Sequence, residues 1–210
     1  MKISKPVAIL LHHAVTAEQP EAEVWNMIKN IGISQRGVPD YHYGVGASGN
    51  IYTGCPLDTV AAHCGLDMGE DYSKYGVYNQ NSFAICAIGN FEANRMKEAQ
   101  INGIVKCIKS ILLKYPGLRI YKHKQLVPTA CPGRYYPFDE IIRRVNQKME
   151  VKIHVGSDSH YATVDGKQVD MGMHPVPING VTLIPIRFIS EIFGAQVLWD
   201  GNTKTITIKK

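Results

Sequence analysis

Long apolar runs are missing from this 210-residue chain. Stretches such as Val7–Leu11 fall far short of the roughly 18 residues a membrane-spanning helix needs, so no membrane insertion is expected. The same run is too short for the core of a secretory signal, although Met1-Lys2-Ile3-Ser4-Lys5-Pro6 before it is basic, and histidines follow at once. A regular cysteine framework is missing too. The five cysteines, Cys55, Cys64, Cys86, Cys107 and Cys131, are odd in number and irregular in spacing. A reducing compartment at synthesis is the simpler inference. No low-complexity tract occurs, and no basic cluster is joined to a nucleic-acid readout motif, so nucleic acid is not an expected partner.

What is present is the composition of a globular protein, 45% hydrophobic and 20% charged. The length suits one domain of about 150 residues plus a small module, and the texture changes near Glu150. We therefore expect domains at residues 1–150 and 151–210. Of the net charge of +5, an excess of four basic residues lies in residues 1–150 and of one in the remainder. A surface this mildly basic favours approach to an anionic polymer and equally fits ordinary solubility.

Val7–Leu11 reads as a buried strand with His12 at its end. Val24, Met27, Ile28 and Ile31 recur at helical spacing behind acidic Glu21 and Glu23, which predicts a helix over 21–31. Tyr41–Val45 and Ile51–Thr53 flank Ala47-Ser48-Gly49-Asn50 as a hairpin. Phe83–Ile88 predicts a second buried strand, and Gly65–Tyr78, which lacks periodicity, a long surface loop. Ile101, Ile104, Val105, Ile108, Ile111 and Leu112 mark a helix over 97–115 that Pro116-Gly117 stops. A strand near Leu118–Tyr121 precedes His123, and Phe138–Met149 repeats the helical pattern. Strands alternating with helices give an α/β class with a mixed central β-sheet and flanking helices. In the tail, short strands at 152–155, 161–164 and 205–208 surround a helix at 185–193, a small α+β domain.

The densest chemistry lies in Tyr121-Lys122-His123-Lys124-Gln125-Leu126-Val127-Pro128-Thr129-Ala130-Cys131-Pro132-Gly133, read with Leu10-Leu11-His12-His13. His12, His123 and Cys131 supply three zinc ligands. Structural zinc sites are usually closed by four protein ligands, whereas catalytic sites keep a position open, so three donors point to hydrolysis. Cys131 as a nucleophile paired with His123 or His63 is the alternative, and it leaves His12 without a role. The other four cysteines read as small buried hydrophobes.

These motifs, with Tyr41-His42-Tyr43, Ala62-His63 and Asn81-Ser82-Phe83-Ala84-Ile85 in the same order, resemble the zinc-dependent N-acetylmuramoyl-L-alanine amidases of the phage-lysozyme and peptidoglycan-recognition-protein superfamily. The resemblance covers roughly residues 5–145. It implies one zinc ion on His12, His123 and Cys131, with His12 chosen over His13 because successive strand side chains face opposite ways and the family's histidine aligns with the first. It implies Tyr41 as a catalytic residue that orients water or donates to an oxyanion. Thr129 stands where phage-type enzymes commonly carry lysine and recognition-protein amidases often carry threonine. Cys86 stands where intracellular anhydromuropeptide amidases carry a catalytic glutamate. His63 and Asn81 are expected to bind substrate, with a supporting role open for each, and His13 and His42 to pack or to hydrogen-bond behind the site.

The tail, through Asn179-Gly180-Val181-Thr182-Leu183-Ile184-Pro185-Ile186-Arg187-Phe188-Ile189 and Trp199-Asp200-Gly201-Asn202, resembles the copper amine oxidase N-terminal-like domain. Its histidines, His154, His160 and His174, follow no tight metal-ligand pattern, so cell-wall binding is expected of it rather than copper. Together the two resemblances imply an endolysin-like peptidoglycan hydrolase of phage or prophage origin. It would cleave the amide between the muramyl lactyl group and L-alanine, and reach the wall after holin-dependent release from the cytoplasm. A non-catalytic peptidoglycan receptor and a host autolysin are the alternatives.

Overall fold

Strand β1 (Ala8–His13) is buried along its whole length, as is β4 (Ser82–Ala87). An apolar strand without polar alternation needs cover on both faces, which a parallel sheet between helices provides. The computed structural model, which describes residues 1–3, 5–64, 72–156 and 158–209 and residues 72–76 as backbone, has that arrangement. The chain divides into two compact units, Met1–Gln147 and Lys148–Lys210.

In the first unit the sheet order is β3-β2-β4-β1-β5. β3 (Ile51–Thr53) pairs antiparallel with β2 (Tyr43–Val45), whereas β2 with β4, β4 with β1, and β1 with β5 (Arg119–Lys122) are parallel. Side-chain parity then sorts the core. Ile9 and Leu11 of β1, with Phe83 and Ile85 of β4, pack against Ile104, Cys107, Ile108 and Ile111 of helix α3 (Glu98–Lys114) and Ile141 and Val145 of α4 (Phe138–Asn146). Ala8 and Leu10 face the other way, toward Cys64 and Val127. Helix α1 (Glu21–Arg36) sets Trp25 and Ile28 against Cys86 and Ile88. Trp25 lies so close to β2 that a Cβ at Gly44 would stand 2.3 Å from its ring, so glycine is required there.

Polar residues join these layers. Glu21, expected only to favour the start of a helix, is buried and accepts hydrogen bonds from the backbone and hydroxyl of Ser48 (both 2.6 Å), from Tyr52 and from Gln19. Burial raises its pKa, but those hydrogen bonds outweigh burial and hold the carboxylate below its ordinary range. His42 is fully buried. Its Nδ1 accepts the Ala84 N–H and its Nε2 therefore donates to the Thr59 carbonyl, both at 3.0 Å.

The sequence expectations need three corrections here. Helix α1 runs past Ile31 to Arg36, because its stop is Gly37, with φ 75° and its N–H bonded to the Ile33 carbonyl. Strand β2 begins at Tyr43, so Tyr41 and His42 lead into the hairpin rather than lying within it. Of the expected loop Gly65–Tyr78, residues 65–71 fall outside the described residues, and Tyr72–Asn81 is helix α2. No periodicity marks α2. Its far end is fixed by Asn79, which is fully buried, accepts the N–H groups of His63 and Cys64 and donates to the Cys64 carbonyl. Tertiary bonds here overrule weak helix propensity.

The second unit has a three-stranded antiparallel sheet, β6 (Val151–Ile153), β7 (Tyr161–Val164) and β8 (Lys167–Asp170), and two hairpins, β9 (Val176–Ile178) with β10 (Val181–Leu183) and β11 (Gln196–Asp200) with β12 (Thr205–Lys209). Helix α5 (Ile186–Ile192) sits between the hairpins in sequence. Ala162, Met171 and Phe188 form its buried centre. Among the described residues no helix is long and apolar enough to cross a membrane.

Two measurements follow from this packing. Ile108→Ala removes a fully buried side chain and is expected to lower the unfolding free energy by about 2–5 kcal/mol in urea titrations. Leu113→Ala on the same helix, at a position 69% exposed, should stay within about 0.5 kcal/mol. The second concerns His42, whose pKa burial lowers from 6.5 to about 4. The folded state therefore resists a proton that the unfolded chain accepts, so its contribution is full above pH 6.5 and is lost as pH falls toward 4. For the chelated protein we expect stability to drop across that window, and His42→Gln to flatten the drop by up to about 3 kcal/mol. Parallel curves would mean that folded His42 takes up its proton normally.

Candidate metal centre

The three donors arrive from distant parts of the chain because parallel strands end on the same side. β1 delivers His12, buried at its C-terminal end. β5, its neighbour in the sheet, runs into a single 3₁₀ turn at His123–Gln125. The following loop folds back so that the Lys124 N–H bonds to the Cys131 carbonyl at 2.9 Å. Gly133 permits this return. Its φ is +104°, and a Cβ there would lie 2.4 Å from the backbone of Phe91, so no side chain fits.

As a result, donor atoms of His12, His123 and Cys131 all lie within 4.8 Å of one another. His12 Nδ1 stands 3.8 Å from Cys131 Sγ, and the His12 and His123 ring centroids are 4.3 Å apart. The backbone N–H of His13 donates to Cys131 Sγ at 3.4 Å. The side chain of His13 turns to the opposite face of the strand, where Nδ1 accepts the Phe91 N–H. The choice of His12 over His13 therefore has a geometric basis.

Electrostatics make this donor set suitable for a cation. Burial first, then His123, His63 and His13, lower the pKa of His12 well below its ordinary value, so it presents a neutral lone pair. Burial pushes the Cys131 thiol up to about 12, against smaller opposing effects from the His13 N–H and Lys124. Such a thiol is a poor nucleophile near neutrality, which argues against a cysteine hydrolase. A divalent cation reverses the position, because a coordinating thiol is deprotonated outright. Two imidazoles and one sulfur, with no carboxylate among them, suit a metal of borderline softness. Among the described residues no comparable group lies in the second unit.

A cleft of about 300 Å³ opens over these atoms, and its lining also includes Tyr41, His63, Glu92, Val127 and Thr129. The Tyr41 ring centroid is 5.2 Å from that of His12. A hydrogen bond from Tyr41 opposes the strong upward push of burial on the Cys86 thiol. Thr129 Oγ1 accepts the Cys131 N–H at 3.3 Å, so the same side chain that faces the cleft also braces the ligand loop. His63 Nδ1 lies 3.1 Å from His12 Nε2.

The structure does not bring Asn81 to the cleft. It ends α2, its carbonyl accepts the Val7 N–H, and it is not part of the cleft lining. Ser82 is level with Ala8 and Cys86 with His12, so Asn81 lies about 16 Å down the strands from the site. Cys55, Cys64, Cys86 and Cys107 are buried, as expected. Glu92 escaped the sequence reading. It lines the cleft, paired with Arg134 at 2.9 Å, and its place just beyond the C-terminal end of β4 was the available signal.

Residues 3–134 match the family model Amidase_2, N-acetylmuramoyl-L-alanine amidase, and residues 140–208 match that of the copper amine oxidase N-terminal domain. The chain is 28% identical over 97 residues to N-acetylmuramoyl-L-alanine amidase of Mus musculus, covering 44% of this chain and 16% of that protein. It is 25% identical over 112 residues to the endolysin of Escherichia phage T7, covering 49% and 66%. It thus spans less than two thirds of the length of either relative. The solved structure of N-acetylmuramoyl-L-alanine amidase LysC from Clostridium intestinale URNW aligns at a TM-score of 0.55 and 25% identity, covering 70% of this chain and 94% of that one. The first family match runs through β1, the hairpin, β4 and the Cys131 turn, and the chain belongs to the N-acetylmuramoyl-L-alanine amidase family.

Proposed function

We propose that the protein is a zinc-dependent peptidoglycan hydrolase that cleaves the amide between the muramyl lactyl carbonyl and the amine of L-alanine. The observation that carries this reading is the convergence of His12, His123 and Cys131 on one side of a cleft that Tyr41 and Thr129 also line. His12, His123 and Cys131 would hold the ion. When bound, zinc lowers the pKa of water toward neutrality and polarises a carbonyl oxygen.

The protein's own groups do the rest. The Tyr41 hydroxyl, bonded to the Cys86 thiol in this structure and carried on a ring that stands against His12, turns to donate to the negative charge that grows on the lactyl oxygen during attack. Thr129 offers its remaining O–H to the same side while its oxygen holds the Cys131 N–H. The C–N bond then breaks, giving a lactyl carboxylate and a free alanine amine that takes up a proton. The second unit, on this reading, holds the enzyme on the wall. Its exposed Phe193 and Trp199, 52% and 54% accessible, are suited to stacking on sugar faces.

End-group analysis of purified sacculi tests the reaction. We expect new N-terminal alanine that disappears with a chelator and returns with zinc. New reducing sugar would instead mean glycosidic cleavage, and binding without new ends would mean a receptor. Cys131→Ser should abolish zinc binding and hydrolysis while wall binding persists. Tyr41→Phe should keep zinc affinity and lower kcat by about 10²–10³-fold, as loss of an oxyanion donor does elsewhere. An unchanged kcat would remove Tyr41 from the mechanism.

A further inference from the structure

His63 is buried and stands at the inner wall of the cleft, and both of its ring nitrogens are engaged. The direction of these bonds can be worked out from one end. Ser82 Oγ lies 2.5 Å from the Tyr78 carbonyl oxygen. A carbonyl has no proton to give, so the hydroxyl hydrogen must occupy that contact. Toward His63 Nε2, at 3.3 Å, Ser82 Oγ is then left only as an acceptor, and Nε2 must carry a hydrogen.

A neutral imidazole protonated at Nε2 has a lone pair at Nδ1. In His63 that lone pair meets His12 Nε2 at 3.1 Å, so His12 must be the donor there. Cys64 Sγ, 3.4 Å from the same Nδ1, can only add a weak second donor. The proton on His12 is thereby assigned to Nε2, which leaves Nδ1 with the lone pair. Nδ1 is the atom that stands 3.8 Å from Cys131 Sγ, on the metal side of the ring.

We propose that Tyr78, Ser82 and His63 form a positioning relay that fixes His12 in its Nε2-protonated tautomer and so keeps Nδ1 available as a metal donor, and that His63 serves this relay rather than the substrate. The relay rests on the zinc-amidase reading for the identity of the ion. It extends the usual rule that a ligand histidine gives its second N–H to a carbonyl or carboxylate, since here an imidazole and a hydroxyl stand between His12 and the carbonyl. Asn79 supports the arrangement by accepting the backbone N–H groups of His63 and Cys64 at 3.0 and 2.9 Å.

The test uses the full chain stripped of metal. Long-range proton–nitrogen NMR of the imidazoles should show His12 and His63 each protonated at Nε2 and bare at Nδ1. Zinc affinity, measured by competition with a chromophoric chelator in the absence of wall, should fall about 10–100-fold in His63→Ala and about tenfold in Ser82→Ala. Ser82→Thr, which keeps the hydroxyl, should restore it. A wild-type His12 protonated at Nδ1 overturns the relay, as does either alanine variant binding zinc as tightly as wild type. If a variant fails to fold, the wild-type spectrum still decides. A wild-type chain that binds zinc but releases no alanine from sacculi would sink the amidase reading and leave the relay standing.

Discussion

The burial of β1 and β4 on both faces is the constraint from which the rest of the structure follows. Parallel pairing holds His12 level with Cys86 and Ala8 level with Ser82. Strand alternation then gives Ile9 and Leu11 to the helical core and turns Leu10 and His12 to the other face. That face also carries buried polar side chains. His12, His63 and Ser82 are all buried, a costly arrangement unless their donors and acceptors meet one another. They do, in a chain that ends on the Tyr78 carbonyl. The packing that stabilises the sheet therefore also sets the orientation of the His12 ring.

Much of this was legible in the sequence, for reasons that differ between elements. β1, β4 and α3 announce themselves because burial on two faces or on one helical stripe leaves a local pattern of apolar residues. The clustering of His12, His123 and Cys131 was legible because few residue types bind zinc and because the motifs that carry them resemble those of a known family in their order. Helix α2 was not legible, since the bonds of Asn79 that secure it reach back to His63 and Cys64. The extension of α1 to Arg36 was obscured because Ile33 faces solvent, and only Gly37 gave the stop.

Roles within the site were harder to read than its membership. Asn81 and His63 both follow or precede motif residues, yet one lies at the far end of the strands and the other touches His12. Adjacency in sequence does not distinguish them, because a strand carries its residues about 3.3 Å apart and five positions span the whole sheet. Glu21 shows the same limit on a smaller scale. A first-turn glutamate suggests a helix dipole, whereas its partners Ser48 and Tyr52 reveal a tie between α1 and the hairpin.

The charge balance of the cleft gives Thr129 its meaning. Glu92, the carboxylate on the rim, is held by Arg134, and this pair adds no net charge. On the zinc-hydrolase reading proposed above, two imidazoles and one thiolate would surround a divalent cation and leave one net positive charge beside the substrate carbonyl. A lysine at position 129 would add a second charge, next to imidazoles whose lone pairs the ion needs. Threonine adds none, and its oxygen instead accepts the Cys131 N–H. Two imidazole donors, His12 and His123, would leave that charge uncancelled. A carboxylate in place of either would cancel the residual charge, and Tyr41 and Thr129, both neutral donors, could not replace it.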